Sequence, residues 1–294
     1  MKTLATLPHL KCLGVTLRDC RRGYYGPTGL AHLARLQSLE ELTIVSNEPL
    51  PDADLSSLES LTYLKDLHIF GSGVSDQVLS ALGKLKQLER LQLNTATRSG
   101  LNHLNGLSNL QYLNVGPAWG NARKTSAADE VTLDLSGLKH LKDLSLGWQP
   151  LQDSDLAFLE HLPLLDRLLI DLETNSLTGA SLRHLRGLSK LDWLWIRGLS
   201  TCTGQDLASL SNLQNLREVR IAGDITDAAL ESLMGPPRLN SLTIETGSPI
   251  RKETVTDLTK SHPGIEYIHI NTLPRIQTKP VGPLKRPGVS QPRR

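Results

Sequence analysis

The chain has 294 residues, and its 32 basic and 30 acidic side chains leave a net charge of +2. This near balance argues against the strongly basic surface of a nucleic-acid-binding domain and indicates no charged partner. Three cysteines are an odd number without metal-site spacing, which argues against a disulfide framework and predicts no metal cofactor. With only two phenylalanines and five tyrosines, the core must be built from leucine.

The chain begins with a partial unit, residues 1–16, which predicts a strand around Leu13 and Val15. Residues 17–29 follow as a long segment that contains glycine and proline, which are typical of loops. Its basic and aromatic side chains are Arg21, Arg22, Tyr24 and Tyr25. We interpret the segment either as a protruding contact loop or as an irregular surface loop whose tyrosines lie back on the fold, and we favour the second.

Residues 30–115 carry a regular apolar pattern. In the clearest copy, leucines occupy every third position and then alternate positions: Leu79, Leu82, Leu85, Leu88, Leu91 and Leu93. A spacing of three is typical of helical turns with one buried face, and alternation is the period of a strand. Each copy therefore predicts a short helical segment that leads into a short strand.

Three dipeptides stand immediately before apolar helical runs: Pro51-Asp52, Ser75-Asp76 and Thr226-Asp227. Side-chain oxygens of serine, threonine and aspartate accept hydrogen bonds from the free N–H groups at the start of a helix. We therefore interpret these aspartates as part of helix caps and not as catalytic acids.

Residues 116–132 form the largest insertion into the pattern, rich in small and polar residues, with Trp119 near its start. Insertions in a repeated architecture emerge as loops on one face, which is often the binding face. We predict a surface loop here, anchored at its base by Trp119. The regular pattern resumes at residue 133 and continues to residue 271.

The strand step recurs eleven times along the chain. Its first apolar residues are Leu13, Leu42, Leu67, Leu91, Leu113, Leu144, Leu168, Leu194, Val219, Leu242 and Ile268. The intervals between them run from 22 to 31 residues. A period of this length excludes two separate globular domains and predicts one continuous solenoid, in which each unit is stabilised by its neighbours.

This leucine pattern resembles the leucine-rich repeat family over residues 4–271. The steps Val74-Ser75-Asp76 and Ile225-Thr226-Asp227 are similar to the repeats of bacterial multi-repeat proteins and F-box substrate receptors. The resemblance implies an α/β fold: a horseshoe solenoid of about eleven repeats, with a parallel concave sheet and short convex helices. The asparagine common in such loops occurs only at Asn47, so the sequence does not predict how the other loops satisfy their backbone groups.

We assign residues 1–272 to the solenoid and residues 273–294 to a disordered basic tail. The tail has six basic and no acidic side chains, which leaves the solenoid at −4. Pro280, Pro283 and Lys285 match a Pro-x-x-Pro-x-Lys ligand pattern. Since so short a pattern is common in proline-rich segments, we interpret the tail as a solvated terminus.

The candidate site lies on the concave sheet. Residues between the inward leucines point outward, so Trp193 and Trp195 share one exposed face. Their predicted neighbours are Arg167, Leu169, Asp171, Arg197 and Arg220. Tryptophan and arginine are enriched in binding hot spots, which favours partner binding; the alternative is that the rings only cover the sheet. Trp148, after the neighbouring strand, either extends this patch or is buried in its loop.

Catalytic signatures are missing from the sequence: it has no phosphate-binding loop, zinc-protease or nucleophile motif. Histidines between leucines, such as His184, are expected on the surface. Asp143 and Asp171 fall on neighbouring predicted strands and are candidates for an acid–base couple, although an ion pair with Arg167 is the simpler interpretation. We expect no enzyme activity and no cofactor.

We therefore predict a monomeric, non-catalytic module that binds another protein through its concave face. One alternative is the recognition segment of a larger assembly, such as a ubiquitin-ligase substrate receptor or a multidomain bacterial protein. Carbohydrate binding on the tryptophans, and nucleic-acid or membrane-surface binding through the tail, are further alternatives. The start of the chain lacks the apolar core of a signal peptide, from which we expect a cytoplasmic location.

Overall fold

A computed structural model describes most of the chain, in nine segments: residues 7, 9–17, 30–46, 50–71, 74–116, 131–147, 151–172, 176–232 and 236–272. Several predictions concern residues outside this part. They are the contact loop from residue 18 onward, the insertion with Trp119, the position of Trp148, Asn47 and the tail.

One parallel sheet runs through the whole described part of the chain, and its strands follow each other in sequence order. The strands are β1 (Cys12–Leu17), β2 (Glu41–Ser46), β3 (Asp66–Phe70), β4 (Arg90–Leu93), β5 (Tyr112–Val115), β6 (Asp143–Gly147), β7 (Arg167–Asp171), β8 (Trp193–Cys202), β9 (Glu218–Ile225), β10 (Ser241–Thr246) and β11 (Tyr267–Thr272). These eleven strands are at the predicted positions, and equivalent leucines are paired, as Leu91 with Leu113. The predicted α/β solenoid is confirmed.

Short helices return the chain from each strand to the next. The α-helices of the described residues are α1 (Asp52–Ser56), α2 (Asp76–Leu82), α3 (Arg98–Asn102), α4 (Gly204–Leu207), α5 (Asp227–Glu231) and α6 (Lys252–Ser261). Segments of 3₁₀-helix cover Leu30–Arg35, Ser57–Ser60, His103–Gly106, Asp153–His161, Gly179–Leu185 and Ala208–Asn212. The 3₁₀ geometry has three residues per turn, which agrees with the spacing of three in the sequence. None of the helices in the described part is long and apolar enough to cross a membrane.

The core lies between the sheet and the helices and consists mainly of leucine. Leu79, Leu82 and Leu85 on the helical side, and Leu91 and Leu93 on the strand, have no exposed surface. Each carbonyl before a strand also accepts two backbone N–H groups of the next unit. The Lys65 carbonyl, for example, lies 2.8 Å from Glu89 N and 2.9 Å from Arg90 N. Units are therefore joined by both apolar contact and backbone hydrogen bonds, as solenoid stability requires.

The predicted helix caps are partly confirmed. The hydroxyls of Ser75 and Thr226 accept hydrogen bonds from backbone N–H groups at the starts of α2 and α5. The prediction was wrong for Asp52, which is the first residue of α1 and follows Pro51 without a side-chain cap bond. It was also wrong for the roles of Asp76 and Asp227, whose carboxylates reach the next unit. Asp76 accepts hydrogen bonds from the Thr97 and Ser99 hydroxyls. Asp227 accepts them from Arg251 N at 2.9 Å and the Thr254 hydroxyl at 2.7 Å.

Other side chains satisfy the loops where the family's asparagine is missing. The Thr246 hydroxyl donates to the Ile225 carbonyl at 2.9 Å and accepts from Ile225 N and Ser248 N at 3.1 Å. Asp153 accepts from Thr178 N at 2.8 Å in the same way. Hydroxyl and carboxylate groups therefore join adjacent units here, since buried backbone groups need partners.

A buried ion pair connects the units on either side of the large insertion. Arg98 Nη1 lies 2.6 Å from Asp155 Oδ2, and the two side chains are only 6% and 1% exposed. Asp155 also accepts hydrogen bonds from Leu133 N at 3.1 Å and Gln152 N at 2.8 Å. The carboxylate is thus fully bonded, which a buried charge requires.

One histidine departs from the sequence prediction. His184 was expected on the surface, but it is 7% exposed, and its Nδ1 lies 2.6 Å from Glu160 Oε1 of the preceding unit. The period of the leucines does not indicate this burial, because the carboxylate that holds the ring, from Glu160, belongs to the preceding unit. Cys202 is also buried, and this burial raises the pKa of its thiol to about 12.

Candidate functional site

The strand register brings the predicted site residues together on the concave face of β7, β8 and β9. One row aligns Arg167 with Trp193, and the next aligns Leu169, Trp195 and Arg220. The third row aligns Asp171 with Arg197. We call these seven side chains the tryptophan patch: Arg167, Leu169, Asp171, Trp193, Trp195, Arg197 and Arg220.

Trp193 and Trp195 form the centre of the tryptophan patch. Both side chains are half-buried, and their rings meet edge to face, with centroids 6.2 Å apart and an interplanar angle of 86°. A guanidinium covers each ring from a flanking strand: Arg167 Cζ lies 4.8 Å from the Trp193 centroid, and Arg220 Cζ lies 5.0 Å from the Trp195 centroid. Such cation–π contacts hold both partners in place, so the patch is ordered before anything binds.

Most of the arginines in this region are also neutralised by carboxylates. Arg167 Nε lies 3.6 Å from Asp143 Oδ2, and Arg197 Nε is hydrogen-bonded to Asp171. Arg220 differs, because no carboxylate of the described residues lies within 4.0 Å of its guanidinium. Its Nε and the Trp195 Nε1 are both buried without a hydrogen-bond partner in the described part of the chain.

An acid–arginine–aromatic arrangement occurs twice along the concave face. In the tyrosine triad, Asp66 Oδ2 lies 3.4 Å from Arg90 Nε, and Arg90 Cζ lies 4.8 Å from the ring of Tyr112. The tryptophan triad repeats this arrangement three strands later with Asp143, Arg167 and Trp193. The signal for this repetition was present in the sequence, since the same three residue types begin three consecutive strands in both places, but our sequence analysis missed it.

The structure contradicts the acid–base couple. Asp143 is aligned with Arg167, whereas Asp171 is aligned with Gly147 at the other end of the strands. Four strand positions separate the carboxylates, or about 13 Å along the strand direction. Each aspartate is paired with an arginine instead, which confirms the ion-pair interpretation for Asp143.

Burial raises the pKa of the Asp143 carboxyl, and the positive charges of Arg167 and Arg90 oppose this shift only in part. Within the described residues, no group of three or more histidine, cysteine, aspartate or glutamate side chains is arranged to hold a metal ion. The chemistry that the face offers is therefore apolar contact, stacking and ion pairing.

Comparison with known proteins identifies the fold. No protein-family model and no curated protein matches the chain. Among solved structures, an internalin (InlF) of Listeria monocytogenes is 23% identical, with a TM-score of 0.53 over 84% of this chain and 73% of that one. The plant peptide hormone receptor RGFR1, in complex with RGF2, is 15% identical, with a TM-score of 0.52 over 92% of this chain and 41% of that one.

At these identities the likeness concerns the fold alone. Together with the eleven parallel strands in one sheet, it shows that the chain has the leucine-rich repeat fold.

Proposed function

We propose that this protein is a non-catalytic binding module that holds a partner protein on its concave face through the tryptophan patch. The observation that carries the proposal is the pair of half-buried tryptophans on β8, each stacked by an arginine of a flanking strand. Large aromatic and arginine side chains dominate binding energy in protein interfaces, because they bury much area at little entropic cost.

The order within the patch supports this function. Stacking and ion pairing already restrict Trp193, Arg167 and Arg197, so little conformational entropy remains to be lost on binding. On the same face of β6, the second and third rows carry only Ser145 and Gly147, which are short. These short residues lie beside Leu169 and Asp171 and leave room there for a partner segment.

The charges of the face support a protein partner over a nucleic acid. Acidic and basic side chains alternate along its first row, with Asp66 before Arg90 and Asp143 before Arg167. A surface that follows a phosphate backbone is uniformly basic. Mixed charges around an apolar centre are instead typical of protein–protein interfaces.

Site-specific photo-cross-linking tests the proposal. Benzoylphenylalanine replaces Leu169 inside the patch and, as a control, Tyr63, which is 64% exposed in the turn before β3. After irradiation in an extract of the source cells, we expect an adduct of one defined mass from position 169 and none of that mass from position 63. The adduct must disappear when Trp195→Ala is added. Identical adducts from both positions, or an adduct unaffected by Trp195→Ala, would contradict the proposal.

A further inference from the structure

We infer that the tryptophan patch selects a partner segment that carries an aspartate or glutamate side chain, and that Arg220 binds this carboxylate. The inference rests on the proposed function, because it concerns the chemistry of the partner at the same surface. The structural basis is the difference between Arg220 and the other arginines of the concave face.

Four described arginines point from the strands onto the concave face. They are Arg90, Arg167, Arg197 and Arg220. The first three each contact a carboxylate on the preceding strand, from Asp66, Asp143 and Asp171 respectively. On the strand that precedes Arg220, the aligned position is occupied by Trp195. Arg220 is therefore aligned with an indole, whereas the other three arginines are aligned with an aspartate.

The stacking orients Arg220 for a ligand. Its Cζ lies 5.0 Å from the Trp195 centroid and its Nε is buried, but the two terminal nitrogens are not buried and donate to no described acceptor. A guanidinium presents its N–H groups as a planar fork that matches both oxygens of a carboxylate. Because the stacking already fixes the plane of this fork, binding costs little side-chain entropy.

The surrounding charges favour a carboxylate over a phosphate. Glu218 lies two residues before Arg220 on β9, on the same face, and forms no ion pair within 4.0 Å among the described residues. Asp143 and Asp171 also lie on this part of the sheet. Arg220 is the one concave arginine of the described residues without a carboxylate partner, so a single carboxylate matches its charge. A phosphate carries nearly two negative charges and would be repelled more strongly by the neighbouring acids.

The neighbours of Arg220 also define which kind of partner side chain fits next to the bound carboxylate. Leu169 is aligned with Trp195 on the opposite side from Arg220, and Trp193 meets the same ring edge to face. A partner side chain next to the carboxylate therefore contacts an apolar surface. The ligand class is a segment in which an acidic residue adjoins a hydrophobic residue.

Peptide phage display tests the inference. A random twelve-residue library, fused through its C-terminus to the coat protein so that each carboxylate is a side chain, is selected on the full immobilised chain. Selected peptides are then measured against Trp195→Ala, Arg220→Gln and Arg220→Lys. The matched control is Arg90→Gln, which removes a concave arginine that is paired with an acid. Circular dichroism and urea midpoints confirm that all variants fold.

We expect peptides that depend on Trp195 to be enriched in aspartate or glutamate beside a hydrophobic residue. Their affinity should fall about tenfold or more in Arg220→Gln, fall less in Arg220→Lys, which keeps the charge but not the fork, and stay within twofold in Arg90→Gln. Peptides that depend on Trp195 but lack an acid, or that bind Arg220→Gln unchanged, would overturn the inference and leave the proposed function standing. If no selected peptide depends on Trp195, both are wrong.

Discussion

The tyrosine triad and the tryptophan triad are nearly the same structure in two places. The acid–arginine distances are 3.4 and 3.6 Å, and both arginines lie 4.8 Å from their aromatic ring. In both places, an arginine that is paired with an aspartate stacks on an aromatic ring. This arrangement therefore recurs along the first row of the sheet and covers it. By this comparison, Trp193 alone does not distinguish the tryptophan patch from the rest of the concave face.

The two regions differ in the second row. Beside the tyrosine triad this row contains His68, Gln92 and Asn114, and the Asn114 amide donates to the Tyr112 hydroxyl at 3.1 Å. Beside the tryptophan triad it contains Ser145, Leu169 and Trp195, where the indole N–H has no described partner. Polar side chains suit a surface that stays in water, whereas apolar groups and an unpaired indole N–H suit one that becomes covered.

The largest expected effect concerns the ion pair that joins the two regions. Replacing Arg98 by methionine leaves the buried Asp155 carboxylate without its cation, and we expect the free energy of unfolding to fall by about 3–5 kcal/mol. Urea denaturation followed by circular dichroism measures this. The control is Lys84→Met, which breaks an exposed pair with Glu59 and should cost less than about 1 kcal/mol. Equal losses for the two variants would mean that Arg98 does not join the regions.

The second prediction compares the regions in binding. Trp195→Ala should weaken partner binding by about 2 kcal/mol or more, roughly 30-fold, because it removes the apolar centre of the patch. Tyr112→Ala removes an aromatic of the tyrosine triad and should leave affinity within about threefold. Isothermal titration with the cross-linked partner, once purified, measures both. A similar loss for Tyr112→Ala would place the binding surface across both triads.

The third prediction uses the raised pKa of Asp143. Burial raises this pKa in the folded state above its value in the unfolded chain. At pH values between these two pKa values, the folded protein therefore binds more protons than the unfolded chain. Relative to Asp143→Asn, the wild type should therefore gain stability as the pH falls through that interval toward about 4.

Urea midpoints of the wild type and Asp143→Asn at pH 7 and pH 4 check this sign, and carboxyl NMR titration measures the pKa itself. Because the Asp143 side chain is 33% exposed, we expect a difference below about 1 kcal/mol. A lowered pKa for Asp143 would show that Arg167 outweighs burial, and that the tryptophan triad is held by charge.

The smallest expected effect comes from Trp193→Tyr, which gives both triads the same residue types. Since tyrosine also stacks under an arginine, stability and partner affinity should change by no more than about 0.5 kcal/mol. The same urea and titration measurements apply. A loss as large as that of Trp195→Ala would show that the partner requires the indole of Trp193 and not only an aromatic ring at this position.

The alternation of leucines determined which side chains reach the concave face. A parallel strand exposes every second residue, and units of similar length align equivalent positions. For this reason the rows through Trp193 and Trp195 were predicted correctly, and so was the burial of Leu91 and its equivalents. The leucine period describes one unit and does not indicate which side chains the adjacent units bury. For this reason the burial of His184 was missed.

The sequence by itself therefore determined the solenoid, its strands and the seven side chains of the patch, because these depend on periods within one unit. Only the tertiary structure decided which charges meet. Arg98 and Asp155 are 57 positions apart in the chain, yet they form a buried pair. Asp143 and Asp171 fall on neighbouring strands, yet the register separates them. Arg220 is left without an acid because the register sets it beside Trp195, and distances across strands arise only when the units stack.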